Sequence, residues 1–131
     1  MPRNTIGAVA KRAGVGVETV RFYEREGLIK QPPTPKQGFR EYPLDAVDRI
    51  RFIRHAKELG FALDEISDLL SLRSHPRINC ETVRHRAEQK IDDVDGKIEA
   101  LRRIKVQLRK LANACNAREA SAECPILEAL R

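Results

Sequence analysis

Apolar residues recur every three or four positions in two short N-terminal stretches, which predicts two amphipathic helices. The first follows Thr5, a residue suited to cap a helix, and ends before Gly14, a residue favoured just past a helix end. The second runs through VETVRFYERE and ends at Gly27. Two short helices joined by a tight glycine-containing turn predict a helix-turn-helix unit. Its core is expected from six apolar residues: Ile6, Val9, Ala10, Val15, Val20 and Leu28.

The other side of the second helix is the candidate outward face of this unit. It carries a mixed polar and aromatic set: Glu18, Thr19, Arg21, Tyr23 and Arg25. The stretch IKQPPTPKQGFREYP follows, and its prolines and glycine exclude a helix. Lys36, Arg40 and Tyr42 are interleaved with them. This stretch therefore predicts a hairpin, or wing, beside the second helix.

Two further amphipathic helices are predicted in LDAVDRIRFIRHAKELG and FALDEISDLLSL, split at Gly60. Helical spacing turns these apolar side chains inward: Val47, Ile50, Ile53, Leu59, Ile66, Leu69 and Leu70. The stretch RSHPRIN, which contains Pro76, is interpreted as a linker.

A long helix is predicted from Cys80 to about Ala112, with Gly96 as its one glycine. Residues on one seam recur at alternating spacings of four and three, the pattern of a coiled coil. They are Ala87, Ile91, Val94, Ile98, Leu101, Lys105, Leu108 and Ala112, and Ile104 and Leu111 broaden the seam. A lone helix of this kind is not stable in water, so we expect a homodimer in which each chain supplies one helix.

The basic charge is concentrated in the N-terminal half. Residues 1–60 hold 12 Lys and Arg against 7 Asp and Glu, whereas residues 61–131 hold 13 against 12. This asymmetry is typical of a nucleic-acid-binding module joined to a nearly neutral one, although a merely basic domain is the alternative. No apolar run approaches the ~18 residues of a membrane span, and the N-terminus does not read as a signal peptide, so a cytoplasmic location is expected.

Three cysteines, Cys80, Cys115 and Cys124, fit no simple disulfide pairing, and a reducing compartment favours a metal-binding, redox or buried structural role. A 33-residue helix would be about 50 Å long, so Cys80 cannot reach the other two within one chain or in a parallel dimer. An antiparallel dimer instead brings Cys80 of one chain to Cys115 and Cys124 of the other, twice by symmetry. Three thiolates form a soft donor set, and zinc would need water, His75 or His85 as a fourth ligand.

The sequence resembles the MerR family of bacterial transcription regulators over nearly its whole length. IGAVAKRAGVGVETVRFYEREGLI resembles that family's helix-turn-helix, GFREYP its wing, and LGFALDEISDLL the helix that follows. The resemblance implies an all-α fold with a small β wing: a winged helix-turn-helix domain plus a long antiparallel coiled-coil dimerisation helix. The expected segments are a DNA-binding domain (1–72), a linker (73–79), the dimerisation helix (80–112), and a metal-binding loop with a short C-terminal helix (113–131).

The cysteine spacing is similar to that of the mercury-responsive members, and the resemblance implies mercuric ion held by three thiolates shared between protomers. The Pro-Ile pair after Cys124 favours mercury, whereas Asn113 departs from members that carry another cysteine there. Lead and cadmium sensors have nearly the same spacing, so Pb²⁺ and Cd²⁺ remain alternatives. Copper-type members lack a cysteine at Cys80, and redox members need four clustered cysteines.

The resemblance also implies a dimer on a palindromic promoter, which it represses without metal and activates with metal by distorting the DNA for RNA polymerase. The expected DNA-binding residues are Thr5, Glu18, Thr19, Arg21, Tyr23, Arg25, Lys36, Arg40, Tyr42, Arg54 and Lys57.

Three other functional interpretations stay open at this point. A small-molecule sensor would need a larger C-terminal domain, an enzyme would need partners for Cys115 that its neighbourhood in sequence lacks, and a plain coiled-coil protein would leave the basic half unexplained.

Overall fold

The computed structural model describes residues 4–77, 79–115 and 124–131. Within these ranges the chain forms six helices: α1 (Ile6–Ala13), α2 (Val17–Arg25), α3 (Ala46–Glu58), α4 (Leu63–Arg73), α5 (Cys80–Ala114) and α6 (Pro125–Ala129). The chain divides into two compact units, residues 1–83 and 84–131, which are described separately below.

Helix α1 begins and ends where its sequence predicts. The Thr5 hydroxyl accepts a hydrogen bond from the backbone N–H of Ala8 at 3.3 Å, which satisfies one of the free donors of the first turn. At the other end, Gly14 adopts the left-handed conformation with φ 74°, and its N–H donates to the last carbonyls of the helix. The tight turn after Gly14 positions α2 against α1 and so builds the predicted helix-turn-helix.

An aliphatic core holds the first unit together, and α1 packs on both α2 and α3. Four of the six predicted core residues are buried, and the other two, Ile6 and Val15, are partly buried against them. Leu59 was expected to face inward, and this prediction is wrong because the side chain is 69% exposed. Leu59 is the residue after α3, where the chain turns through Gly60 at φ 89°, so helical spacing no longer sets its direction.

The residues between α2 and α3 form an irregular segment, here called the wing segment (residues 30–43). No strand is present in the described ranges, so the β wing is not confirmed. Proline lacks the N–H that a strand ladder requires, which explains the irregular path. The end of the segment is nevertheless attached to the chain before α1. The N–H of Tyr42 donates to the carbonyl of Asn4 at 2.8 Å, and the Asn4 amide donates to the carbonyls of Tyr42 and Pro43 at 2.9 Å.

Helix α5 extends from Cys80 to Ala114, which confirms the predicted long helix to within two residues. Its apolar seam is solvent-exposed in the single chain: Ile91 is 57% exposed, Leu101 64% and Leu108 59%. Apolar side chains repeated along one stripe of a helix are normally buried, so this stripe is the feature of the second unit that needs a partner. In the part of the chain that the structure describes, no helix is long and apolar enough to cross a membrane.

Candidate nucleic-acid interface and thiol site

The exposed side of α2 carries charged side chains as expected. Arg21 and Glu18 form an ion pair at 2.6 Å, and their side chains are 53% and 79% exposed. The guanidinium of Arg25 lies over the ring of Phe22, 5.9 Å from its centre, which limits the directions that this cation can take. Thr19 is half-buried beside them. A pair as exposed as Arg21–Glu18 stabilises the fold little, so Arg21 is free to exchange its partner for a phosphate.

A concave surface lies between α2 and the wing segment. Arg21, Arg25 and Arg40 line it, and its volume is about 390 Å³. Phe39 contributes an apolar wall and is itself 75% exposed. Three guanidinium groups around an open depression attract anions and hydrogen-bond phosphate oxygens well. Lys36 adds a further exposed cation on the wing segment.

Arg40 is held in place from one side only. Its Nη2 donates to the hydroxyl of Thr34 at 2.6 Å. Its Nε is buried and has no hydrogen-bond partner within the described residues. A buried donor without a partner is costly, so a movement of Arg40 that brings Nε into contact with an acceptor would remove that cost. Arg40 therefore has an unused hydrogen-bond donor beside the concave surface.

The structure corrects the expected position of Tyr23. Tyr23 was predicted on the outward face of α2, but it is 3% exposed and belongs to the core of the first unit. The phenol ring is a large apolar body, and packing it against the aliphatic core outweighs its polar tip. Burial raises the pKa of Tyr23, and the nearby Arg54 partly offsets that rise. Its place in the fold is therefore under the α2 surface.

Tyr42 is likewise buried, at 4% exposure, although it was predicted as a DNA contact. Its hydroxyl donates a hydrogen bond to the carboxylate of Glu24 on α2. Burial and this bond raise the pKa of Tyr42 well above its ordinary value. The side chain thus joins the wing segment to α2 and fixes the position of its neighbour Arg40. It leaves little surface for a direct DNA contact.

Arg54 and Lys57 lie in the second half of α3, and both are exposed. Arg54 is already engaged, because its Nη1 donates to the carbonyl of Ala13 at 3.3 Å and its Nε lies 3.5 Å from Glu58 Oε1. A side chain at Gly14 would place its Cβ 2.7 Å from the Arg54 Nη1. The absence of a side chain at Gly14 therefore permits both the left-handed turn and the close approach of the Arg54 guanidinium.

Sequence reasoning missed two residues that hold the interface together, Asn4 and Glu24. Asn4 is 6% exposed and, besides its bonds to the wing segment, its Oδ1 accepts from Arg12 at 3.4 Å. Glu24 is the acceptor for Tyr42. The bonds from Asn4 to the wing segment and from Tyr42 to Glu24 join residues 18 to 39 positions apart, and no local pattern singles out Asn4 or Glu24.

The three cysteines occupy helix ends. Cys80 is the exposed first residue of α5, Cys115 directly follows α5, and Cys124 caps α6. The backbone N–H groups of Leu127 and Ile126 lower the pKa of Cys124, partial burial opposes them, and a hydrogen bond with the Cys115 side chain lowers it further. The Cys115 and Cys124 side chains are therefore within hydrogen-bond reach of each other in the second unit.

Two adjacent thiols fit a soft metal ion, because the thiolate is the form that binds such ions. They do not complete a site alone. Among the described residues of one chain, no three His, Cys, Asp or Glu side chains come close enough together to hold an ion. The loop between Cys115 and Cys124, predicted to bind metal, lies outside the described residues except for those two cysteines.

Comparison with known proteins places these features in context. Residues 4–72 match the "MerR HTH family regulatory protein" model, and residues 47–111 match the "MerR, DNA binding" model. The mercuric resistance operon regulatory protein of Serratia marcescens is 43% identical over 97% of this chain and 87% of its own. The corresponding protein of Bacillus cereus is 41% identical over 95% of both chains.

Two solved structures resemble the chain closely. One is a transcription regulator from Ralstonia metallidurans in complex with lead(II), with a TM-score of 0.83 and 37% identity. The other is MerR from Bacillus megaterium in complex with mercury(II), with a TM-score of 0.73 and 38% identity. Each similarity covers 96% of this chain and 98% of the other.

The fold and the two family matches define a helix-turn-helix regulatory protein that binds DNA. With matches over both halves of its length, the chain belongs to the MerR family of helix-turn-helix regulators. It is a metal-responsive transcription regulator of that family and not an enzyme.

Proposed function

We propose that this regulator is a homodimer whose effector is the mercuric ion, and that it acts in the cytoplasm on a mercury-resistance promoter. Without metal it represses the promoter, and with metal it activates it. The observation that carries the proposal is the pair of adjacent thiols, Cys115 and Cys124, in a chain whose third thiol, Cys80, begins the long helix. One chain offers two adjacent soft donors, and a second chain would supply the third.

The dimer is supported by the exposed apolar seam of α5. A helix pair would cover this stripe, and an antiparallel pair would bring the start of one α5 to the end of the other. We assign the metal to Cys80 of one chain with Cys115 and Cys124 of its partner. The donor set fits mercury because three thiolates satisfy a thiophilic ion without water or histidine.

The choice of metal rests on the relatives. Proteins named as mercuric resistance regulators are 41–43% identical to this chain, and a related structure holds mercury(II). The lead(II) complex at 37% identity keeps Pb²⁺ as the alternative, together with Cd²⁺. All three ions prefer sulfur, so the loop around the thiols decides between them.

For DNA binding we propose that α2 enters the major groove of a palindromic operator and the wing segment follows the backbone. Arg21, Arg25, Lys36 and Arg40 would bind phosphates, with Glu18 and Thr19 near the bases. Arg54 and Lys57 would add contacts from α3, and the start of α1 at Thr5 would offer backbone N–H groups to a phosphate. Tyr23 and Tyr42, which are buried, would position this surface from beneath.

Activation follows from coupling between the two sites. Metal binding favours one state of the dimer, and that state holds the promoter bent and untwisted for RNA polymerase. Deforming DNA costs a few kcal/mol, so a modest difference in metal affinity between the two states is sufficient. The proposed division of labour assigns residues 1–72 to DNA, 73–79 to a linker, 80–112 to dimerisation and 113–131 to the metal loop.

The first experiment is an ultraviolet titration of the reduced protein with Hg(II), Pb(II), Cd(II) and Zn(II) in the presence of a competing thiol. Thiolate charge-transfer bands that saturate at one or two mercuric ions per dimer and survive the competitor are expected. A preference for Pb(II) or Cd(II) would change the effector but keep the family mechanism. If no ion binds against the competitor, the metal assignment is wrong.

Subunit mixing tests whether two chains share the site. A dimer of one Cys80→Ser chain and one Cys115→Ser chain retains one intact site only if Cys80 acts with the partner's Cys115 and Cys124. The mixed dimer should therefore recover competed mercury binding, whereas each variant alone should not. A mixture of Cys115→Ser and Cys124→Ser chains is the matched control and should recover nothing. Recovery in the control, or none in the first mixture, would contradict the shared site.

A further inference from the structure

Charge is divided along one flank of α5. When the apolar seam is written in heptads, with its residues at the a and d positions, the four e positions beside it are Glu88, Asp95, Arg102 and Arg109. The flank is thus acidic over its first half and basic over its second. In coiled coils, side chains at e lie at the edge of the helix interface, where opposite charges attract across it.

These four side chains are available to a partner. All four residues are exposed, and Arg102 and Arg109 line an open groove of α5 beside Val106. Glu88 forms an exposed ion pair with Arg84 one turn earlier, at 3.0 Å. For Asp95, Arg102 and Arg109, the structure records no ion pair within the described ranges. An exposed pair such as Arg84–Glu88 is weak and can be exchanged.

We propose that this division of charge sets the antiparallel orientation and the register of the two α5 helices in the dimer. This inference rests on the homodimer proposed above and identifies the residues that align its two α5 helices. In a two-fold antiparallel pair, the same flank of both helices meets itself with reversed direction. The acidic half of one flank therefore faces the basic half of the other. Glu88 pairs with the partner's Arg109, and Asp95 pairs with the partner's Arg102, each twice by symmetry.

Other arrangements gain less from the same residues. Sliding one helix by a heptad places Asp95 against the partner's Asp95, or Arg102 against the partner's Arg102. In a parallel coil e positions face g positions, so the repulsion between Arg102 and the partner's Lys97 would cancel the attraction between Asp95 and the partner's Lys90. The parallel coil would also stack Lys105 on the partner's Lys105 within the seam. The antiparallel register instead places Lys105 against the partner's Val94, whose apolar surface its methylene chain can cover.

The register agrees with the thiol site, which played no part in deriving it. Helix α5 begins at Cys80 and ends at Ala114. Glu88 is level with the partner's Arg109 in this register. Cys80 lies eight residues, or about two turns, closer to the start of α5. It is therefore level with a point just beyond the partner's Cys115. The charged flank and the three thiols therefore favour the same alignment, and the flank acts as a positioning device for the metal site.

Charge exchange tests the proposal on the full-length protein. Glu88→Arg/Asp95→Arg makes the flank wholly basic, and Arg102→Glu/Arg109→Glu makes it wholly acidic. Each double variant should weaken the homodimer at least about tenfold in sedimentation equilibrium at low salt, since four attractive pairs become repulsive. The weakening should shrink at high salt, where such charges are screened. Mixed together, the two double variants should form a heterodimer.

Two controls separate pairing from a general effect of charge. The quadruple variant, with both exchanges in one chain, restores complementary pairs and should dimerise within a few-fold of the natural protein. Arg103→Glu/Lys110→Glu makes the same charge change one residue further along, away from the seam, and should leave dimerisation nearly unchanged. Circular dichroism checks that every variant remains helical.

The outcomes distinguish this inference from the proposed function. If both double variants dimerise normally, or the quadruple variant is as weak as they are, the charged flank does not align the helices. The natural protein would still bind mercury and operator DNA, so the proposed function would stand. If the natural protein is monomeric and takes up no mercury, the proposed function itself fails and the flank has no dimer to align.

Discussion

The hydroxyl of Tyr42 donates a hydrogen bond to the carboxylate of Glu24, which joins the wing segment to the second helix of the helix-turn-helix. The same tyrosine is held from the other side, because its backbone N–H donates to the carbonyl of Asn4. These two bonds attach an irregular segment with no strand ladder to α2 and to the residues just before α1. Because Arg40 is only two residues from Tyr42, these bonds also restrict the position of its backbone.

Replacing Tyr42 by Phe should lower the free energy of unfolding by about 1–2 kcal/mol, because a hydrogen bond to a charged acceptor is lost while the ring still fills its site. Urea denaturation measures the change. Tyr23→Phe is the matched control, since the Tyr23 hydroxyl makes no hydrogen bond among the described residues, and it should cost less. Equal losses for the two variants would contradict a structural role for the Tyr42–Glu24 bond.

The two tyrosines should ionise at higher pH in the folded protein than in the unfolded chain. The chain has 2 tyrosines and no tryptophan, and the pKa values of Tyr23 and Tyr42 are both raised, chiefly by burial. A raised folded-state pKa stabilises the fold below the unfolded value of about 10, and this contribution is lost as the pH rises above it. Tyrosinate absorbance of native protein should therefore lag behind that of protein in urea. Coincident titrations before unfolding would show that burial does not perturb these groups.

Replacing Gly14 by Ala should destabilise the first unit more than replacing Gly27. Both glycines have positive φ, 74° and 76°, so each alanine incurs left-handed strain of roughly 1–2 kcal/mol. Only at Gly14 would the new Cβ meet Arg54 Nη1, at 2.7 Å. Arg54 can move aside because Nη1 ends a flexible, half-exposed side chain, so losing its bond to the Ala13 carbonyl should cost roughly 0.5 kcal/mol more. In an Arg54→Ala background the two glycine variants should become equally destabilising; a difference that persists there must have another cause.

Replacing Arg40 by Ala should weaken binding to operator and to unrelated DNA alike, because a phosphate contact carries no sequence information. The slope of affinity against salt concentration should become shallower by about one unit. Fluorescence anisotropy over a salt series measures both quantities. Arg103→Ala on α5, far along the chain from the DNA-binding residues, is the control. An unchanged affinity and slope for Arg40→Ala would remove this residue from the interface.

Replacing Cys80 by Ser should abolish mercury-dependent transcription while leaving operator binding intact. Serine removes the soft donor at the start of α5 but changes nothing in the helix-turn-helix unit. Transcription in vitro with and without Hg(II), together with operator binding by the same preparation, gives both readouts. Loss of operator binding would mean that the metal and DNA functions are not divided as proposed.

Local patterns predicted the helices well because their causes are local. Thr5 caps α1 and Gly14 ends it through bonds within a few residues of chain, and the long helix was predicted to within two residues from its spacing. The prediction of side-chain direction failed at Leu59, where the helix ends and helical spacing no longer applies. Leu59 lies at the point where α3 ends, so its 69% exposure follows from the turn at Gly60 and not from helical periodicity.

The amino-acid order alone decided where the helices lie, which stripe of α5 is apolar and how its flank is charged, because these are properties of neighbours along the chain. Tertiary packing decided that Tyr23 and Tyr42 are buried, that Asn4 anchors the wing segment, and that Cys124 lies beside Cys115. An amphipathic residue such as tyrosine suits surface and core alike, and only the space left by distant residues settles which it occupies. Bonds between residues some 20 to 40 positions apart leave no trace in local spacing.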